Sequence, residues 1–126
     1  MVNAAFGWAW ITLGLLTGLV LGLCFHNDDW LGGYASWPRR LLRLGHVAMI
    51  ALGGLNILFA ASLVWLKLPT ALVRADSRLW LLGAATMPPA CLLAAWKRNW
   101  PPPLLFAVPV ACLLAAAFLT TWGMAR

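Results

Sequence analysis

The chain has 126 residues, of which 63% are hydrophobic and 10% charged, where an ordinary soluble domain carries about 25% charged residues. That balance excludes a water-soluble globule and defines an integral membrane protein. The formal charge of +6 does not point to nucleic acid, because the basic residues sit in short connections flanking apolar runs rather than on one face.

Four stretches approach spanning length: Ala4–Phe25, Leu44–Leu66, Leu79–Trp96 and Pro101–Ala125. Crossing a hydrocarbon core of about 30 Å takes roughly twenty helical residues, so four crossings use up nearly the whole chain. The expected fold is all-α: one domain over residues 1–126, a four-helix transmembrane bundle with short loops. The expected location is the bacterial inner membrane. No Lys or Arg precedes the first stretch and no small-x-small cleavage site follows it, so it is expected to be retained.

The first stretch carries Gly14, Gly18 and Gly22 in an uninterrupted G-x-x-x-G-x-x-x-G series. In lipid the hydrophobic effect does not drive helices together, and small residues that let backbones approach supply the contact instead. These three glycines are the expected docking face. The connection that follows contains Asp28, Asp29, Trp30, Tyr34 and Trp37, then Arg39, Arg40 and Arg43. Its aromatic rings suit the headgroup level, and its two acids are expected to pair with its arginines. Pro38 suits the first turn of a helix.

In the second stretch His46, Met49, Gly53, Asn56 and Ala60 recur at spacings of three and four, which puts them on one helix face. An unpartnered Asn in hydrocarbon is costly, so that face must meet protein, and the glycines of the first stretch are its expected partner. Pro69 is expected to end this helix, with a polar loop reaching Arg78. The third stretch is interrupted by Pro88-Pro89, which predicts a kink or break and freed carbonyls at Ala84 and Ala85. Lys97 to Pro103 reads as a tight hairpin into the fourth stretch, which ends near Trp122 and Arg126.

On this layout Trp8, Trp10, Trp65, Trp80 and Trp122 fall at one interface and Trp30, Trp37, Trp96 and Trp100 at the other. The first and third loops hold five Lys or Arg, against four in the second loop and C-terminus, which inclines those two loops towards the cytoplasm. Cys24, Cys91 and Cys112 are odd in number and show no C-x-x-C spacing, so they read as small buried hydrophobes.

No Asp, Glu, Lys or Arg falls inside the four stretches, which argues against a coupled transporter. Two families of small dimeric four-helix membrane proteins share this size. Neither the first-helix glutamate of the small multidrug transporters nor the Thr-Thr-Phe-Ser-Thr signature of the fluoride channels has a counterpart here. Three acids and two histidines cannot be built into a Ser/His/Asp, Cys/His or paired-carboxylate constellation. The remaining chemistry is ligation: His46 and His26 could bind haem b, and His46, His26, Met49 and Cys24 a soft copper site. The sequence thus points to a non-catalytic subunit or assembly partner of a larger membrane complex, with a respiratory or other electron-transfer complex as the preferred host. Its partners would be the lipid bilayer and other integral membrane subunits, or a second copy of itself. Gly14, Gly18, Gly22, Gly53 and Asn56 would carry helix packing. A haem b or copper electron carrier and a small dimeric channel are the alternatives.

Overall fold

In a computed structural model, which describes residues 1–97, 99 and 101–125, four α-helices follow one another: α1 (Val2–Phe25), α2 (Trp37–Ser62), α3 (Thr70–Trp96) and α4 (Pro102–Met124). Arg98, Trp100 and Arg126, assigned above to the third hairpin, the aromatic belt and the membrane edge, lie outside the described residues. The helices pack antiparallel, and each is long and apolar enough to cross a membrane.

Each helix packs mainly on its neighbour in the chain, α1 on α2, α2 on α3 and α3 on α4. The arrangement is a row with two edges rather than a closed ring. In their most apolar windows only 6% of α1 and 11% of α4 is buried, against 33% of α2 and 44% of α3, so the two central helices supply most of the core. Leu15, Leu19 and Leu23 on α1 and Val108, Leu114 and Phe118 on α4 are left exposed.

Close approach is set by glycine at three crossings. A Cβ on Gly7 would stand 2.5 Å from the Gly53 carbonyl, and one on Gly53 would stand 2.8 Å from the Gly7 carbonyl, so these two backbones touch. A Cβ on Gly83 would meet Leu113 of α4, and one on Gly123 would meet Leu66 and Leu68 of the α2–α3 connection. The amide of Lys67 also donates to the Gly123 carbonyl at 3.1 Å, tying that connection to the last turn of α4.

One helix start is as Pro38 suggests and one differs. α2 begins at Trp37, about two turns before the uncharged run, with Pro38 in its first turn and its arginines received by the preceding loop. Arg39 is buried at 2% exposure, donating to the carbonyls of Asp28 (2.8 Å) and Phe25 (3.3 Å) with its guanidinium 4.5 Å from the Phe25 ring centre. Arg43 turns back to the Tyr34 carbonyl and lies 4.1 Å over that ring. The loop is therefore closed by arginine on carbonyl oxygens and aromatic faces, not by the Asp–Arg pairs expected. Leu31 at φ 53° and Gly32 and Gly33 near φ 85–88° turn the chain, and the Trp37 indole clamps the loop to the Ala94 carbonyl of α3 at 2.9 Å.

α3 begins at Thr70 rather than Leu79, with Pro69 as the residue before its first turn. Arg74, Asp76 and Arg78 are thus helical, and the statement that no acid lies within a spanning helix is corrected by Asp76, whose side chain is fully buried. The helix also runs through Pro88-Pro89 without a break. Thr86 bonds the carbonyls of Leu82 and Gly83, one turn back, rather than those of Ala84 and Ala85.

Candidate functional site

Two polar features interrupt the apolar interior, one near the N-terminal end of α1 and one near its middle. The first joins all four helices. Ser77 of α3 donates to the Asn3 side-chain oxygen of α1. Asn3 donates to Asn56 Oδ1 of α2 at 2.9 Å, and Asn56 donates to the Trp80 carbonyl of α3 at 3.3 Å. The Trp80 indole donates to Thr120 Oγ1 of α4 at 3.1 Å, and that hydroxyl donates to Asp76 Oδ2 at 2.9 Å. Thr120 accepts from one group and donates to the other, so its single hydroxyl couples α3 and α4. Asp76 Oδ1 is buried without a hydrogen-bond partner. A network of this kind holds helices in one register, and its one unpartnered oxygen, Asp76 Oδ1, marks its weak point.

The stripe of α2 meets the glycines of α1 as expected, Gly53 on Gly7, Met49 on Gly14 and His46 on Gly18, while Asn56 at its far end is partnered by the side chain of Asn3. Asn3, Ser77, Asp76 and Thr120 were not singled out from sequence, and Trp80 was read there as an interfacial ring. A signal for Asp76 was present: the buried stripe Cys91, Ala84 and Trp80 continues back at helical spacing onto Asp76. Trp80, only 8% exposed, is an interior residue and not part of an aromatic belt.

The second feature surrounds His46. His46 lies seven residues along α2 from Arg39, about 10 Å, and its ring reaches the middle of α1. Its Nδ1 is 2.8 Å from the Gly14 carbonyl, and a Cβ on Gly18 would stand 2.5 Å from its Cε1. A carbonyl only accepts, so Nδ1 carries the hydrogen of that bond. Thr17 donates to the same carbonyl at 2.8 Å and approaches the Met49 sulfur at 4.0 Å. His46 is therefore an intramembrane residue held by α1, not the interfacial one its sequence position suggested. An ionisable group at such depth is a functional candidate by default.

The other proposed ligands do not gather there. His26 is exposed at the C-terminal end of α1, eight residues beyond Gly18 and so roughly 12 Å further along the helix, too far to share one iron or copper with His46. Cys24 lies on that same distant turn. Met49 adjoins His46 on its own helix. Among the described residues no three His, Cys, Asp or Glu side chains converge. Of the packing glycines, Gly14, Gly18 and Gly53 meet the facing helix, whereas a Cβ on Gly22 would meet nothing within 4 Å. Gly7 takes the place in the contact that the series had assigned to Gly22.

Beside His46 lies a hollow of about 310 Å³ between α1, α2 and α3, lined by apolar side chains together with Thr17, His46 and Cys91. Cys24, Cys91 and Cys112 are all free thiols.

Fold and site together define a small multi-pass membrane protein with four spanning helices and a hydrogen-bonded interior. Comparison with known protein families, with curated proteins and with solved structures finds no match to the chain.

Proposed function

We propose that the protein is a non-catalytic integral subunit that docks through its edge helices onto other membrane-embedded polypeptides. The observation carrying this reading is the open row: α1 and α4 leave apolar faces unpaired while an internal network fixes the four helices as one body. A rigid body with two free lateral faces suits an assembly role, since little order is lost when such a face is covered. The electron-transfer host suggested from sequence depended on a histidine pair, and the separation of His26 from His46 removes that support.

The test is site-specific photo-crosslinking in native membranes. Photoreactive residues at Leu19 and at Leu114, on the exposed faces of the two edge helices, should each yield a stoichiometric adduct with one defined membrane polypeptide. The same residue at the buried Ala84 should not. Labelling of lipid alone from both edges would overturn the subunit reading, and adducts with a second copy of the chain alone would replace it with a homo-oligomer.

A further inference from the structure

We propose that Arg74 and Arg78 of α3 form a site for the phosphate of an anionic phospholipid, whose acyl chain lies along the exposed apolar stripe of the same helix. This goes beyond the subunit reading and does not depend on it.

The inference starts from where α3 begins. In a loop before Leu79 the two arginines would have no fixed relation to each other. Because the helix begins at Thr70, they stand four residues apart on one helix face, where Cβ atoms are about 5–6 Å from one another. Both are exposed, whereas Asp76 between them turns to the opposite side and is fully buried. Like charges at this spacing repel, and nothing on the protein offsets them. Neither arginine has a hydrogen-bond, ion-pair or ring partner among the described residues. The chain has three acidic side chains. Asp76 is engaged by Thr120 in the interior, and Asp28 and Asp29 lie in the loop after α1, at the other end of the bundle.

Depth and surroundings then restrict what can neutralise the pair. Ser77, which lies between the arginines in sequence, is bonded to Asn3 in the first turn of α1. The pair is thus level with the start of that helix, at the membrane edge where lipid headgroups lie. Trp65, exposed in the connection just before α3, puts an amphipathic ring at the same end. From Arg78 the outward stripe continues at helical spacing through Leu82, Pro89, Leu93 and Trp96, all exposed. A ligand that fits this face is anionic at one end and apolar for most of a helix length, which selects a lipid over a free phosphate. Guanidinium forks take phosphate oxygens in pairs, and two forks at this spacing can share one phosphate, turning their repulsion into a common attraction. A zwitterionic headgroup brings its own cation to the same place, so a headgroup with net negative charge is preferred.

The experiment titrates the solubilised full chain with defined lipids and counts bound molecules by native mass spectrometry. The probes are dioleoyl phosphatidylglycerol and dioleoyl phosphatidylcholine, with inorganic phosphate as competitor. One phosphatidylglycerol per chain should bind roughly thirtyfold more tightly than phosphatidylcholine, the equivalent of two arginines at about 1 kcal/mol each. R74Q and R78Q, each altering one exposed side chain, should each lose about fivefold of that preference, and R74Q/R78Q nearly all of it. R40Q removes an exposed arginine at the other end of the bundle and should change nothing. A preference that survives in R74Q/R78Q, or that falls as far in R40Q, would overturn the proposal, the second outcome reducing it to general attraction between opposite charges. Displacement of the lipid by millimolar inorganic phosphate would overturn the choice of a lipid.

Discussion

Replacing Gly7 by Ala should separate α1 from α2, and the size of the effect can be worked from one distance. The new methyl would stand 2.5 Å from the Gly53 carbonyl oxygen and 2.6 Å from Ile57 Cγ1. The isoleucine can rotate, but the carbonyl belongs to a helix backbone and cannot. Reaching ordinary contact means moving the two helices apart by about 1 Å, and a gap of that size forfeits about a quarter to a half of each dispersion well along the seam. The Asn3–Asn56 bond, 2.9 Å long and one turn away, is stretched by the same motion, and interhelical bonds of this type average about 0.6 kcal/mol in membranes. Overpacking of this sort costs about 1–3 kcal/mol in total. Alanine also favours the helix by about 1 kcal/mol over glycine, which would mask part of the loss. Gly22→Ala removes that ambiguity, since it gains the same propensity and its methyl meets nothing. The assay is reversible unfolding of both variants in bicelles by steric trapping. Gly7→Ala should fall below Gly22→Ala by about 1–3 kcal/mol. Equal stabilities, within about 0.5 kcal/mol, would refute the close backbone contact and return the seam to the G-x-x-x-G series.

Thr120→Val keeps shape but leaves both the Trp80 indole and Asp76 without their partner, and should cost about 2–4 kcal/mol in the same assay, since a buried unsatisfied group costs about 1–3 kcal/mol. Asn56→Leu should cost less, about 1–2 kcal/mol, because interhelical polar contacts in lipid are individually modest; a loss as large as that of Thr120→Val would show that the network is centred on α2 instead. Arg39→Lys should loosen the first loop, because an ammonium cannot reach two carbonyls while stacking on Phe25, and faster proteolysis between Asp28 and Trp37 is the readout. In unfolding-free conditions a membrane-permeant maleimide should modify Cys24 well before Cys91, which is 1% exposed; equal rates would contradict the packing of α3.

The four helices were legible in the sequence because spanning length and lack of charge are properties of a local run. What was not legible depended on contacts far along the chain. The uncharged run of the third helix stops at Leu79, yet the helix continues to Thr70, since Arg74 and Arg78 can face outward while Asp76 turns inward to a threonine 44 residues later. The second helix begins early for a similar reason, its arginines being received by carbonyls and rings of the preceding loop. What changed the meaning of His46 was a contact with another helix, its bond to the Gly14 carbonyl near the middle of α1. Glycine spacing identified the right helix face in part: Gly14 and Gly18 lie on the seam, but Gly22 looks onto open space although Phe25, three residues on, still meets Arg39 of α2, and no local pattern records which glycine of a series is covered.

The placement of Thr120 has a consequence for how the chain enters a bilayer. Asn3 and Asn56 are each other's partners, so the first two helices can settle in lipid as a hairpin with their side-chain amides already engaged. The third helix has no such independence. Until the fourth arrives, the carboxyl of Asp76 faces hydrocarbon with no hydroxyl to meet it, and the Trp80 indole lacks its acceptor. The third helix is therefore better received by a bilayer together with the fourth than alone, because Thr120 of α4 shields the one acid that is buried among the described residues.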